Sequence, residues 1–515
     1  MPPTVKLTDS TAVPEGHPRA LYMLFFAEMW ERFSYYGMRA LLVLYMVQHY
    51  RYSDARAYVV YGSYTALVYA TPIFGGMLAD RLLGYRKSVT LGAVMMALGH
   101  FAMAFDRLFY PALGLLIVGN GFFKPNISTI VGRLYPPGDP RRDSGFTIFY
   151  MGINLGAALA PAICGVVGET LGWHWGFGLA GVGMLFGLGV FLAGQRWLSG
   201  IAEPPDVGRL KEPVCFGISR EGGVYLGAAL FTMVAWQLVQ HGAWVGHLLS
   251  ALGLLVAVGL VTYLVRLTDR VERDRLTVVL VLTLVSVVFW AFFEQAGSSL
   301  SLFTARNVDR HLAQPLSHAL GAVASIFGGP EVSEVPASVF QAVNPVFILV
   351  FAPLFSRFWL ALGRRGREPS FPSKFGLGIL QLGLGFGALW FGASEATAGG
   401  VVGVGWLILG YWLHTTGELC LSPIGLSMVT KLSPPKIAGL MMGIWLLSSS
   451  FAQYAAGLIA RLTGGQGDGQ STAGAGETVH IYGSVFGRIA LTALVVGVVV
   501  TVTAPILARR THGVR

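Results

Sequence analysis

Long apolar runs alternate with short polar connectors along the whole chain. Runs of spanning length fall at about 20–49, 55–80, 87–106, 108–134, 144–168 and 175–198. A polar segment with Pro204, Pro205 and Pro213 follows at 199–221. Two more runs lie at 222–242 and 245–266, and a final six at 276–304, 338–362, 374–395, 400–431, 436–462 and 483–508. A helix of ~20 apolar residues crosses the hydrocarbon core of a bilayer. The pattern therefore predicts an all-α integral membrane protein with 14 spans arranged as six, two and six. The divisions expected are a tail at 1–19, a first six-helix bundle at 20–198, a linker at 199–221, an additional helix pair at 222–266, a second bundle at 276–508 and a tail at 509–515. The segment 305–337 reads as a loop with a short apolar patch near Ala319–Phe327, and 463–482 as a Gly-, Ser- and Thr-rich loop.

Composition agrees. Hydrophobic residues make up 54% and charged residues 12%, against about 25% charged in soluble domains. Sixty-eight glycines suit close helix contact in lipid. The net charge of +10 would suit a nucleic-acid partner if it were clustered. Instead, most of the 36 Lys and Arg fall at one set of connectors, among them Arg86, Lys87, Arg141, Arg142, Arg270, Arg273, Arg364, Arg365 and Arg509. The positive-inside rule then places both termini in the cytoplasm and the chain in the inner membrane. It leaves no role for nucleic acid. Cys164, Cys215 and Cys420 are isolated, so no metal site or disulfide framework is expected. No cleaved signal peptide is read at the start. Neither a nucleophile–base constellation nor a cofactor motif is seen, so no enzyme is expected.

The informative feature is charge where lipid should forbid it. The first span holds Glu28, Glu31, Arg32, Tyr35 and Arg39, with Leu, Met and Phe opposite. At 100° per residue, Glu28, Arg32, Tyr35 and Arg39 share one face, with Glu31 beside them. A charge at the bilayer centre costs at least ~2.5–3.5 kcal/mol, so this stripe needs partners or a wet cavity. An ion-pair network that only locks helix packing is the plain alternative. The fourth span carries Lys124 before Pro125, some ten residues from either end. Proline removes a helical hydrogen bond and frees a carbonyl one turn earlier. Asn154 lies deep in the fifth span, where it reads equally as helix–helix glue. The second half carries Glu294 and Glu418 without a basic residue at similar depth, and Asn344 opens its second span. If the halves face each other, one wall is positive and the other negative. A zwitterion with separated charges would complement both.

These residues fall in motifs that resemble the proton-dependent oligopeptide transporter family of the major facilitator superfamily. E-x-x-E-R-F-x-Y-Y-G is met by Glu28, Glu31, Arg32, Phe33, Tyr35, Tyr36 and Gly37. F-Y-x-x-I-N-x-G is met by Phe149, Tyr150, Ile153, Asn154 and Gly156. G-x-G-F-x-K-P-N runs from Gly119 to Asn126, F-W-A-x-x-E-Q ends at Glu294 and Gln295, and G-E-L-x-x-S-P holds Glu418 and Ser422. The stretch from Gly75 to Lys87 is similar to the superfamily's gating loop around Asp80 and Arg81. The resemblance runs from about residue 19 to 510.

The resemblance implies two six-helix bundles plus two additional helices between them. It also implies roles. Arg32, Arg39 and Lys124 would meet a peptide carboxylate, and Glu418 the amino terminus, helped by Asn154 and Asn344. Tyr35, Tyr36, Tyr69 and Ser422 would line the peptide site, Tyr69 on the resemblance alone. Trp290 and Trp445 would shape side-chain pockets. Glu28, Glu31, Arg32, Glu294 and Glu418 would serve proton coupling. Arg39 with Glu294 and Lys124 with Glu418 would form alternating gate pairs. Two departures stand out. No histidine lies in the second span, where animal relatives have one, and Phe293 replaces the first of two acids found in some bacterial relatives. Coupling would then rest on carboxylates. The expected function is proton-coupled import of di- and tripeptides by alternating access, with protons as coupling ion, no other cofactor, and a monomer sufficing. The alternative is a proton-coupled carrier of another small solute, such as nitrate, an amino-acid-like compound or a drug.

Overall fold

In the computed structural model, residues 16–136, 138–215, 217–311, 314–330, 332–464 and 474–514 are described. The first six long helices are α1 (Arg19–Gln48), α2 (Asp54–Ala70, prolonged by Pro72–Leu78 and a π-type turn at Ala79–Leu83), α3 (Gly84–Ala102), α4 (Phe109–Arg133), α5 (Arg142–Ala160, prolonged to Val166–Thr170) and α6 (Trp173–Ala193). A short antiparallel ladder, β1 (Pro213–Cys215) with β2 (Ile218–Ser219), leads into α7 (Arg220–Gln240) and α8 (Gly242–Arg266). The last six are α9 (Arg270–Phe293, prolonged by Ser299–Asn307), α10 (Val343–Arg364), α11 (Phe371–Ser394), α12 (Val404–Leu432), α13 (Ala438–Ala460) and α14 (Ala475–Arg509).

Polar residues at the connectors start the helices. Ser53, Ser219, Asp269 and Ser370 each accept a backbone N–H of the first turn that the helix itself cannot satisfy. The turn from α2 to α3 is set by Gly84, whose φ of +71° reverses the chain. A side chain there would also meet the backbone of Glu203 and Pro204.

By length and mean hydropathy, ten helical stretches among the described residues qualify as membrane spans. One of them, Asp54–Ala102, folds back at Gly84 and supplies both α2 and α3. The long helices outside that set are α1, α4 and α12. These carry the ionisable residues of mid-membrane, which lower mean hydropathy. They are accommodated because those residues point into protein: Glu28, Glu31 and Arg32 are all buried. By contrast α8 is apolar and largely uncovered, as suits a helix facing lipid.

Within the first half α1 packs on α5 and α6, and α3 on α4 and α6. Within the second, α11 lies between α12 and α14, and α9 lies on α13. The halves meet along α2 with α13 and α5 with α10. The additional pair leans on the first half through α7 against α4. The first and last described residues lie on one face. His17 bonds Tyr135 beyond the end of α4 at 2.8 Å, and Arg275 at the start of α9 donates to the Thr511 carbonyl at 3.2 Å. This is the terminal face, and its opposite is the far face.

Candidate functional site

The charged stripe of α1 is a closed cluster. Arg32 Nε donates to Glu28 Oε1 at 2.9 Å and lies 2.6 Å from Glu31 Oε2. The second contact is an ion pair without hydrogen-bond alignment, since that oxygen accepts no aligned donor. Glu31 is fully buried, and Asn120 of α4 donates to its other oxygen at 3.3 Å. Two acids thus hold one arginine, and one buried Arg32 terminal nitrogen has no partner among the described residues. That is an arrangement with unspent donor capacity, because a buried donor normally finds an acceptor.

One turn along α4, Lys124 is only half-buried. Its ammonium stands 4.4 Å over the Tyr69 ring, the geometry of a cation–π contact, and within electrostatic reach of Glu31, Glu28 and Arg32. Pro125 follows it inside the helix, and Asn126 donates to Phe122 and across to the Gly75 carbonyl of α2.

Across the interface, Glu418 of α12 accepts a hydrogen bond from Asn344 at 3.0 Å. The same amide donates to Thr415 at 3.0 Å. Among the described residues no basic side chain pairs with Glu418, and none of the ion pairs joins it to Lys124. Trp290, Asn344, Ser422, Tyr36 and Tyr69 are half-buried at this depth. Tyr35 is packed instead, its ring 5.3 Å from that of Tyr36 and its hydroxyl without a partner. Asn154 donates back to its own helix at Tyr150, and Trp445 is buried, 6.4 Å from Phe375.

Toward the far face the halves are latched. Arg39 of α1 pairs with Glu294 at the end of α9, and its Nε donates to Tyr61 of α2 at 2.7 Å. Both charged side chains are buried. Further out, Arg306 forks onto Asp54 at 2.5 and 2.8 Å. Glu169 accepts the backbone N–H groups of Ala337 and Ser338 at 3.2 and 2.8 Å. Gly62 and Gly457 let α2 and α13 approach so closely that a β-carbon on either would overlap the other's backbone. Ser450 donates to the Ala66 carbonyl at 2.7 Å, about halfway down α2.

Of the residues singled out in the sequence, Glu28, Glu31 and Arg32 come together, as do Arg39 with Glu294, Lys124 with Tyr69, and Asn344 with Glu418. Lys124 and Glu418 stay apart in this conformation. Sequence reasoning missed Asn120, Thr415 and Tyr61. Asn120 precedes Lys124 by one turn, so helical spacing alone could have flagged it. Tyr61 belongs to a run of buried tyrosines, Tyr58, Tyr61 and Tyr64, at three-residue spacing.

What this arrangement can do is set a lysine beside a closed Glu–Arg–Glu cluster in the first half against an amide-held carboxylate in the second, with aromatics between. A family model described as POT family matches residues 86–470. The peptide transporter YePEPT of Yersinia enterocolitica is 36% identical over 473 residues, covering 86% of this chain and 88% of its own. Dipeptide and tripeptide permease B of Yersinia enterocolitica is 32% identical over 96% of this chain and 95% of its own. A crystal structure of a peptide transporter POT in complex with sulfate superimposes with a TM-score of 0.78, at 35% identity and 97% coverage of both chains. A chain matched over most of its length by sequence, by fold and by family model is a member of the POT family, with the major facilitator architecture and its transporters' membrane setting.

Proposed function

We propose that this protein is a proton-coupled symporter that imports di- and tripeptides by alternating access of its two six-helix halves. The observation that carries this reading is the pair of opposed walls. Arg32 and Lys124 stand in the first half, and Glu418 with Asn344 in the second, each wall satisfied within its own half. A peptide presents a carboxylate and an ammonium some residues apart and can bridge the two. Side chains of peptides vary too widely for dedicated hydrogen bonds, so the half-buried Trp290, Tyr36 and Tyr69 suit them as tolerant neighbours.

With the basic terminal face in the cytoplasm, the far face is the outside. The Arg39–Glu294 latch then closes the outer side, and this conformation releases inward. Arg32 is engaged by two acids. Protonation of Glu31 or Glu28 removes one of those claims and frees a donor for the peptide carboxylate. Loss of that proton to the cytoplasm restores the cluster, and Lys124 can then turn to Glu418. In this reading residues 20–198 and 276–508 rock as two bodies while 222–266 rides with the first. One proton supplies ~2.3 kcal/mol per 100 mV and ~1.4 kcal/mol per pH unit. A 100-fold gradient of a neutral solute costs about 2.7 kcal/mol, so one proton is enough.

The test is uptake of labelled dialanine into proteoliposomes with and without an inward proton gradient, beside labelled nitrate. Accumulation of dialanine that an uncoupler abolishes is the expected result. Dialanine uptake indifferent to the gradient would remove the coupling assignment. Nitrate uptake without dialanine uptake would replace the substrate.

A further inference from the structure

Far from the membrane centre, three side chains that are distant in sequence converge at the far face. His49 ends α1, Asp106 sits in the connection between α3 and α4, and His174 is the second residue of α6. His49 Nε2 lies 3.0 Å and His174 Nε2 3.1 Å from the same oxygen, Asp106 Oδ1. The ligand atoms all lie within 4.8 Å of one another. The two imidazoles stand nearly perpendicular, at 88°, with centroids 5.4 Å apart. Tyr45 donates to that same carboxylate oxygen at 2.8 Å, and Tyr50 donates to the Asp106 backbone carbonyl at 2.7 Å.

Three donors crowd one oxygen here, more than its lone pairs accept in good geometry. A central ion relieves that crowding, because each histidine then offers a lone pair rather than a proton. We propose that His49, His174 and Asp106 bind a divalent transition-metal ion of the zinc class. Zinc takes imidazole nitrogen and carboxylate oxygen at about 2.0–2.2 Å. Two ligands at that distance around a tetrahedral ion stand about 3.3 Å apart, close to the 3.0 and 3.1 Å observed between each histidine and the aspartate. Two imidazoles and one carboxylate favour zinc, copper or nickel over magnesium and calcium, which prefer all-oxygen shells.

The surroundings are built for such a site. Tyr45 stacks on His49 at 4.9 Å, meets the His174 ring edge-on at 5.9 Å, and fixes the carboxylate through its hydroxyl. An outer-shell donor of this kind orients a ligating carboxylate. The ligand side chains are partly exposed, at 32% for His49, 51% for Asp106 and 37% for His174. An ion can therefore enter from solvent, and water can complete its shell. All three ligands belong to the first half, so the ion would rivet the outer ends of α1, α4 and α6 without tying the halves together.

The experiment uses the full chain, tag-free, purified in detergent and stripped with a chelator. Micromolar zinc should raise its unfolding temperature and bind one ion per chain by elemental analysis, whereas magnesium should do neither. X-ray absorption should show two imidazoles in the shell. H49Q/H174Q should lose both effects. D106N should weaken binding by no less than the ~10–100-fold lost with an outer-shell partner. H311Q removes a separate histidine paired with Asp309 and Glu334, and it should bind zinc unchanged. If H49Q/H174Q fails to fold, D106N and the absorption spectrum decide. Absence of zinc stabilisation, an equal response in H49Q/H174Q, or a shell without imidazole would overturn the proposal.

Discussion

The far face and the membrane centre handle charge in opposite ways. At the far face, cation and anion come from different halves: Arg39 with Glu294, and Arg306 with Asp54. At the centre, the charges find their partners inside their own half: Arg32 with Glu28 and Glu31, Lys124 with the Tyr69 ring, Glu418 with Asn344. A pair that crosses the interface resists separation of the halves there. A pair confined to one half does not. The contrast gives a molecule whose ion pairs cross between the halves at one end and stay within each half at the centre.

The most damaging change should be at the centre. E418Q keeps the Asn344 hydrogen bond but removes the negative wall, so peptide uptake should fall to background. Wild-type uptake in that variant would sink the role of Glu418. K124A should lose gradient-driven accumulation while exchange of peptide across the membrane is measured alongside it. Retained accumulation would count against the positive wall.

Next comes the buried latch. Removing one partner of a buried ion pair costs about 3–5 kcal/mol, because the other charge is left without compensation. R39A and E294A should therefore each lower the unfolding temperature, and the double variant less than their sum. A double-mutant cycle with no coupling would show that the two residues do not act as a latch. The outer fork is smaller. Arg306 is about a quarter exposed, so solvent screens the pair. R306A should cost on the order of 1 kcal/mol and leave uptake nearly intact.

The least effect should come from Asp139 at the terminal face. The Arg141 side chain, and then its backbone N–H, hold this carboxyl below the usual value of 3.8. A lowered value means that the contact contributes above the usual carboxylate range and is lost as the pH falls through the lowered value. D139N should thus leave uptake between neutral and mildly acidic pH unchanged, and its small stability difference from the parent should vanish in strong acid, where the parent loses the contact as well. A change in the pH profile of uptake near neutrality would show that Asp139 belongs to the coupling machinery.

Helix positions were legible because spanning length and apolar composition follow directly from bilayer thickness. Observed ends lie within a few residues of those expected, for example Arg220–Gln240 against 222–242 and Phe109–Arg133 against 108–134. The expected short apolar element at Ala319–Phe327 overlaps a helix at Gln314–Ile326, while the last span begins earlier, at Ala475 rather than 483. Gly474–Thr478 carries the polar start of that helix, which an apolar criterion passes over. Much of the loop at 463–482 lies outside the described residues.

What the sequence determined by itself is the list of costly charges. A Glu, Arg or Lys at bilayer depth must find company, so Glu28, Glu31, Arg32, Arg39, Lys124, Glu294 and Glu418 announce themselves along a single chain. Periodicity did not say which of them keep company with which: the Arg39–Glu294 pair was expected from the family resemblance alone, and the tertiary structure decided which pairs form. Partners such as Arg39 and Glu294 are 255 residues apart, and helical periodicity says nothing about contact between helices. The same holds for His49, Asp106 and His174. At a connector a histidine costs nothing and signals nothing. Only the folding together of three helix ends aims two imidazoles at one carboxylate oxygen.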